Sequence, residues 1–99
     1  MLVKLNQENF MEETKNGLKL VEFYTNWCSY CKKQEPELSA MDKVWIGKVD
    51  AEQSPIIANK HNVNAFPTFI IFKDGKEVRR FSGYRTKEEL MNIILTHLD

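Results

Sequence analysis

Apolar runs alternate with amphipathic stretches along this chain, and their spacing predicts alternating strands and helices. Residues 2–5 form a short apolar-rich strand. Asn6 can cap a helix that ends near Gly17, since asparagine is a preferred N-cap residue and glycine often follows a last helical turn. Residues 18–24 are almost continuously apolar and end in β-formers, which is typical of a strand covered on both faces. This part of the chain predicts a strand, a helix and a central strand.

The middle of the chain continues the alternation. A helix is expected to begin within residues 27–31 and to continue through residues 32–41, with a kink at Pro36. Residues 44–50 are a second short apolar segment, which predicts another strand. Proline at the first position predicts a short helix over residues 55–61. The middle therefore adds a helix, a strand and a further helix.

A β-hairpin is the clearest local signal in the second half of the chain. Residues 69–72 and 78–81 are β-prone and flank a turn that contains Asp74 and Gly75. An Asp-Gly pair between two such runs favours a tight turn. The last two strands are therefore expected to be antiparallel neighbours.

The chain closes with an amphipathic helix. Thr86 and Glu89 have capping-box spacing, and apolar residues continue at helical spacing from Leu90 to Leu98. In order the elements are βαβαβαββα, with no repeat, linker or low-complexity tract. We therefore predict one α/β domain over residues 1–99, with a central mixed sheet and helices on both of its faces.

Composition agrees with one domain and narrows the choice of partners. The 99 residues are 42% hydrophobic and 28% charged, which provides enough apolar material for a core. Fourteen basic residues balance fourteen acidic ones, so no net charge draws the chain to nucleic acid or to an anionic membrane. Neither is expected as a partner, and a monomer is the default expectation.

The start of the chain and its cysteine content bear on location. The first eight residues become polar before an apolar run of signal-peptide length can form, and no run approaches transmembrane length. Two cysteines are too few for the disulfide framework of a small secreted fold. We therefore expect a cytoplasmic protein.

The two cysteines, Cys28 and Cys31, carry the most specific chemistry in the sequence. At positions i and i+3 on the first turn of a helix they can close a disulfide. Cys28 lies where backbone N–H groups and the helix dipole favour a thiolate, so we expect it to be the nucleophile. Cys31, one turn deeper, is expected to be the resolving thiol that attacks a mixed disulfide.

Two other interpretations of this spacing stay open. The same pair supplies half of many zinc sites, but zinc needs two further ligands, and the remaining nitrogen donors, His61 and His97, lack ligand-like spacing. In the second interpretation the domain is a binding module whose cysteines have no redox role. We favour thiol–disulfide exchange and expect no metal.

Glu22 interrupts the apolar run of the expected central strand. An isolated buried carboxylate costs on the order of several kcal/mol unless it is protonated or paired. Such residues are often functional. Lys48, in the middle of the next strand, is its expected partner. The alternative is that this part of the strand is exposed and Glu22 is solvated.

Further motifs accompany the cysteine pair. Pro36 lies five residues after Cys31, and Gly83 lies eight residues after Gly75. The other characteristic segments are Trp27-Cys28-Ser29-Tyr30-Cys31-Lys32, Phe66-Pro67-Thr68 and Lys73-Asp74-Gly75. With this combination the chain resembles the thioredoxin family over essentially its whole length.

The resemblance implies the thioredoxin fold and thiol–disulfide oxidoreductase activity. A redox-active disulfide, here Cys28–Cys31, is then the redox group, and no cofactor is expected. The implied partners are disulfide-containing client proteins, which the chain reduces, and a thioredoxin reductase, a flavoprotein that recharges it.

The resemblance also implies roles for residues around the cysteines. The proline matching Pro67 follows a cis peptide bond beside the disulfide in this family. Glu22 is implied to lie beneath the active site as a proton relay for Cys31, with Lys48 adjusting the pKa of Glu22.

A groove for an extended client segment is implied as well. The residues implied to line it are Trp27, Tyr30, Ala65, Phe66, Gly83 and Tyr84. For Trp27 and Tyr84 the alternative is an ordinary core or turn position.

The chain departs from the family pattern at its active site. Ser29 and Tyr30 stand where thioredoxins have glycine and proline, and Glu22 stands where they usually have aspartate. Glutaredoxins and some bacterial disulfide isomerases have tyrosine at the position of Tyr30, so glutathione-linked or isomerase chemistry is the alternative activity. Ala65 and Phe66 before the proline favour a thioredoxin, since glutaredoxins typically have threonine and valine there.

Overall fold

The computed structural model describes residues 1–98 and contains the predicted elements in the predicted order, βαβαβαββα. The strands are β1 (Leu2–Leu5), β2 (Leu18–Tyr24), β3 (Ile46–Asp50), β4 (Thr68–Lys73) and β5 (Lys76–Ser82). The helices are α1 (Phe10–Thr14), α2 (Ser29–Ser39), α3 (Pro55–Lys60) and α4 (Lys87–Leu95).

The strands form one mixed sheet in the order β1-β3-β2-β4-β5, with β1 and β5 at its edges. β3 pairs in parallel with β1 and β2, whereas β4 pairs antiparallel with β2 and β5. β2 is therefore central, as its apolar run predicts. The register places Glu22 of β2 between Lys48 of β3 and Phe69 of β4.

Each face of the sheet carries its own apolar core, because successive side chains of a strand point to opposite faces. α1 and α3 cover one cluster of buried side chains, and α2 and α4 cover the other. Helices on both faces are thus confirmed. Leu20 belongs to the cluster under α2 and α4, and Glu22, two residues further along β2, faces the same side.

The first helix begins later than its cap suggests. The Asn6 side chain accepts hydrogen bonds from the N–H groups of Glu8 and Asn9, so it caps a turn that precedes the helix. α1 itself begins at Phe10. The expectation that the helix follows directly from Asn6 was therefore wrong by one turn.

The predicted hairpin between β4 and β5 is confirmed. Its turn residues, Asp74 and Gly75, have φ angles of 50° and 83°, and positive φ at both positions is what a type I′ turn requires. The Gly17 N–H donates to Asp74 Oδ1 at 2.8 Å, and the Asp74 N–H donates to the Gly17 carbonyl at 3.0 Å. The turn is thereby fixed to the segment that leads into β2.

The last helix starts as predicted but ends earlier. Thr86 and Glu89 form the expected capping box. The N–H groups of Thr96 and His97 bond to carbonyls only three residues back, which tightens the final turn and ends α4 at Leu95. No helix within residues 1–98 is long and apolar enough to cross a membrane.

Candidate active site

Cys28 and Cys31 lie at the junction between the central strand and α2. Cys28 is the N-cap residue of α2, and its extended backbone leaves its Sγ atom facing the first turn. The Cys31 N–H donates a hydrogen bond to Cys28 Sγ at 3.1 Å. Both residues are free thiols, and both are buried, with exposed fractions of 8% and 3%. Cys28 Sγ therefore lies at a helix N-terminus, and its part as the nucleophile stays a prediction.

Two other segments of the chain meet Cys28. Its Sγ atom donates to the Phe66 carbonyl at 3.5 Å. The Phe66–Pro67 peptide bond is cis, as the family resemblance implies. The Gly83 N–H donates to the Pro67 carbonyl at 2.8 Å, which brings the β5–α4 connection to the same place. The structure thus brings Cys28, Pro67 and Gly83 together from three separate parts of the sequence.

Apolar side chains project from the surface around Cys28. Trp27 and Tyr30 are 67% and 61% exposed, so Trp27 is not a core residue. The Trp27 ring meets the half-buried Phe66 ring edge to face, with 6.3 Å between centroids. Ala65, the residue before Phe66, is exposed. Exposed aromatic rings beside a reactive sulfur suit contact with an extended polypeptide.

Tyr84 follows Gly83 in the β5–α4 connection. It is half-buried beside α2, where the Lys33 Nζ atom sits 4.4 Å from its ring centroid. Its part in the groove stays a prediction.

Gln34 fixes the β5–α4 connection to α2. Its side chain is fully buried, its Nε2 donates to the Arg85 carbonyl at 2.8 Å, and its Oε1 accepts from the Arg85 N–H at 2.9 Å. The amide thereby satisfies both backbone groups of Arg85 and holds the segment that follows Gly83. Sequence analysis missed this residue.

Replacement of Gln34 by leucine is expected to lower the free energy of unfolding by about 2 kcal/mol, because both backbone groups of Arg85 lose their partners in a partly buried place. Urea denaturation measures the change. Gln53→Leu is the matched control, since Gln53 is exposed, and should shift stability by less than about 0.5 kcal/mol. Equal effects for the two variants would contradict a bridging role for Gln34.

Glu22 is completely buried beneath α2, so the alternative of a solvated residue was wrong. Neither of its carboxyl oxygens has a hydrogen-bond partner among the described residues. The Lys48 Nζ atom lies 3.8 Å from Glu22 Oε1, as expected for its partner. Burial raises the pKa of Glu22 from 4.5 to about 7, against the opposing effect of Lys48. A carboxyl group with this pKa can take up and release a proton near neutral pH.

The Cys31 thiol has a raised pKa. Burial, together with the side-chain hydrogen bond to Cys28, raises the pKa of Cys31 to about 12, and the nearby charge of Glu22 adds a smaller increase. A thiol of this pKa attacks slowly at neutral pH unless a base removes its proton. Glu22 has a suitable pKa for that base.

A second carboxylate, Glu35, completes this cluster and was missed by sequence analysis. The Lys48 ammonium donates a hydrogen bond to Glu35 Oε2. Glu35 lies four residues after Cys31 on α2, and this spacing puts both on one helix face. That spacing is the signal that could have identified it.

Within the described part of the chain, no further ligands complete a zinc site at the cysteine pair. His61 packs against the rings of Phe10 and Phe72 on the side of the sheet covered by α1 and α3. His97 follows α4, which covers the opposite face. Within residues 1–98, no group of three or more His, Cys, Asp or Glu side chains is arranged to hold a metal ion.

Comparison with known proteins places this site in a family. The family model described as Thioredoxin matches residues 1–96. The chain belongs to the thioredoxin family. The thioredoxin of Chlamydia trachomatis is 41% identical, over an alignment that covers 98% of this chain and 99% of that protein.

Solved thioredoxin structures share the fold. The crystal structure of Fasciola hepatica thioredoxin is 39% identical, with a TM-score of 0.79 over 91% of this chain and 89% of that one. A mutant thioredoxin of Halobacterium salinarum is 22% identical and shows likeness of fold alone, with a TM-score of 0.90 over 99% of this chain and 91% of that one. The predicted thioredoxin fold is confirmed.

Membership in the thioredoxin family establishes the class of activity. Thioredoxins are thiol–disulfide oxidoreductases that reduce protein disulfides through a redox-active cysteine pair and need no cofactor. Their general partners are disulfide-containing client proteins and a thioredoxin reductase. The cysteine pair of this chain, with Cys28 at the N-cap of α2, has the arrangement that this chemistry needs.

Proposed function

We propose that this thioredoxin-family protein reduces client disulfides by attack of Cys28, with Cys31 as the resolving thiol and Glu22 as the base that activates it. The observation that carries this assignment is the hydrogen bond from the Cys31 N–H to Cys28 Sγ at the start of α2. The helix N-terminus stabilises the thiolate of the first cysteine, whereas burial keeps the second protonated.

The first step forms a mixed disulfide. The Cys28 thiolate attacks one sulfur of a client disulfide, the client S–S bond breaks, and its other sulfur leaves as a thiolate. The client segment lies against Trp27, Tyr30 and Phe66 in this proposal. Gly83 and Tyr84 border the same groove. Ala65 lies on the side of Pro67, which has no backbone N–H group to donate a hydrogen bond.

The second step releases the reduced client. Glu22 takes the proton from Cys31, and the Cys31 thiolate attacks Cys28 Sγ. The mixed disulfide breaks, the second client sulfur leaves as a thiolate, and the Cys28–Cys31 disulfide forms. A thioredoxin reductase then returns two electrons to the pair. Burial raises the pKa of Glu22, and the charge of Lys48 offsets part of that rise.

The charge balance of the chain and its proposed activity support a state of assembly and a location. Balanced charge supports a monomer that binds neither nucleic acid nor membrane surfaces. A reductant of client proteins works where thiols are kept reduced, which supports the cytoplasm as its location.

The reduction potential of the cysteine pair decides the direction of electron flow, and equilibration in glutathione redox buffers measures it. We expect a value near about −270 mV, as for a reductant of the thioredoxin kind. Cys31→Ser is the blank, since it cannot close the Cys28–Cys31 disulfide and reports only mixed disulfides with glutathione. A value of about −180 mV or higher would instead assign the chain to disulfide oxidation or isomerisation.

A further inference from the structure

Lys48 is shared between two carboxylates rather than paired with one. Its ammonium is hydrogen-bonded to Glu35 Oε2, whereas it lies 3.8 Å from Glu22 Oε1. The Lys48 side chain is 14% exposed, Glu22 is fully buried and the Glu35 side chain is 46% exposed. Lys48 is therefore hydrogen-bonded to the more exposed carboxylate, that of Glu35, and only lies near the buried carboxylate of Glu22.

We propose that Glu35 is a positioning residue that holds Lys48 partly away from Glu22 and thereby keeps Glu22 able to exchange a proton with Cys31 at neutral pH. This inference rests on the proposed function, in which Glu22 is the base for Cys31. Glu35 touches neither the client nor the reacting sulfur atoms in this scheme, and it acts through Lys48.

The geometry explains why the bond between Lys48 and Glu35 matters for Glu22. If the Lys48 ammonium donated directly to Glu22, the carboxylate would be stabilised and would become a weak base. With Lys48 bonded to Glu35, the oxygens of Glu22 are left without a hydrogen-bond partner among residues 1–98. The negative charge of Glu35 also opposes ionisation of Glu22. Both effects add to burial, which is the main cause of the raised pKa of Glu22.

The surroundings of Glu22 offer few other charges. Cys31 and Glu35 face it from α2, and Lys48 faces it from β3. Tyr24, on the same strand, lies with its ring centroid 4.6 Å from the Lys48 Nζ atom. The neighbour on β4 is Phe69, and α4 contributes apolar side chains to the same cluster. Lys48 and Glu35 are therefore the permanent charges that control Glu22.

Lys48 borders an open space. A cavity of about 240 Å³ has Cys31, Glu35 and Lys48 among its lining residues. Glu22 Oε1 lies 3.8 Å from the Lys48 ammonium, so we expect the ammonium to move toward Glu22 when its bond to Glu35 is removed.

NMR titration of the Glu22 side-chain carboxyl carbon tests the inference directly. In Glu35→Gln we expect the titration midpoint of Glu22 to fall by about one pH unit, a tenfold loss of proton affinity. Glu12→Gln is the matched control, because Glu12 also pairs with a lysine, Lys15, but on the exposed surface of α1. It should leave the midpoint unchanged. Glu35→Ala, which removes the same charge, serves if the glutamine variant folds poorly.

A double-mutant cycle with Lys48→Met separates positioning from direct repulsion. In the Lys48→Met background, Glu35→Gln is expected to shift the Glu22 midpoint by less than half as much as in the wild type. An equal shift in both backgrounds would overturn the positioning role, because Glu35 would then act on Glu22 by its charge alone. An unchanged or raised midpoint in Glu35→Gln would overturn the inference altogether.

The pH profile of insulin-disulfide reduction links this titration to the reaction. In Glu35→Gln the acid limb of the profile should move to lower pH together with the Glu22 midpoint, and the rate at neutral pH should fall. An acid limb that stays in place while the midpoint moves would overturn the role in proton exchange. If the wild type failed to reduce insulin, the proposed function would fail, whereas normal wild-type reduction with an unmoved Glu22 midpoint would remove only the role of Glu35.

Discussion

Cys28→Ser is expected to reduce insulin-disulfide reduction by at least about a thousand-fold. The serine hydroxyl stays protonated at neutral pH and is a poor nucleophile toward sulfur, so no mixed disulfide can form. Turbidity of reduced insulin, followed with dithiothreitol or a thioredoxin reductase as electron source, measures the loss. Full activity in Cys28→Ser would end the proposal that this residue is the nucleophile.

Cys31→Ser is the informative partner of that variant. It keeps the attacking sulfur of Cys28 but removes the thiol that resolves the mixed disulfide, so a covalent complex with the client should accumulate. Mass spectrometry under non-reducing conditions detects this complex. Recovery of the complex with Cys28→Ser instead would reverse the assigned order of the two cysteines. Equal urea denaturation midpoints for both variants would show that folding does not account for the difference.

The free energy of unfolding of Glu22→Gln, relative to that of the wild type, is expected to rise by about 3 kcal/mol between about pH 4 and about pH 8. In the folded chain the pKa of Glu22 is raised from 4.5 to about 7, because the carboxyl group is buried. Between these values the unfolded chain has lost the proton that the folded chain keeps, so rising pH favours unfolding of the wild type. At about 1.36 kcal/mol for each pKa unit, the difference amounts to about 3 kcal/mol.

Urea denaturation at a series of pH values measures this effect. The stabilising contribution of the protonated form is complete below pH 4.5 and is lost as the pH rises through about 7, so the curves should run parallel above that value. Glu12→Gln, at an exposed ion pair, should follow the wild type throughout. Parallel curves for Glu22→Gln and the wild type across the whole range would show that Glu22 ionises normally in the folded chain.

The central part of the site could be predicted from sequence because its signals are local. A charged residue inside an apolar run, as at Glu22, indicates a candidate buried acid, and the structure decides between burial and exposure. The i, i+3 spacing of Cys28 and Cys31 at a helix start likewise predicts that the two side chains lie close together, whatever the rest of the fold. The turn at Asp74 and Gly75 needed only its two residue types and the β-prone runs around it.

Glu35 and Gln34 could not be identified in the same way, because what defines them is distant in sequence. The partner of Glu35 is 13 residues away, and Arg85, the partner of Gln34, is 51 residues away. On a helix rich in polar residues, each resembles an ordinary solvent-facing position. The packing of α2 on the sheet, with α4 beside it, distinguishes Gln34 from its neighbours, whereas the spacing of Glu35 from Cys31 is the one sequence signal for Glu35.

Two helix ends differ from those that the pattern predicts. Asn6 does not cap α1, because its side chain closes a turn before the helix and Asn9 is the N-cap residue. After Leu95 the apolar spacing continues although the helical hydrogen bonds do not. Apolar spacing reports which side chains face a core, and it does not report which backbone groups are bonded.

The edge strand β5 has a consequence for solubility. An edge strand presents unpaired backbone N–H and C=O groups to any passing chain, which makes it a template for aggregation. Four of the seven residues of β5 are charged, namely Lys76, Glu77, Arg79 and Arg80. A strand added at this edge would strip water from those side chains, which opposes edge-to-edge joining of separate molecules at β5.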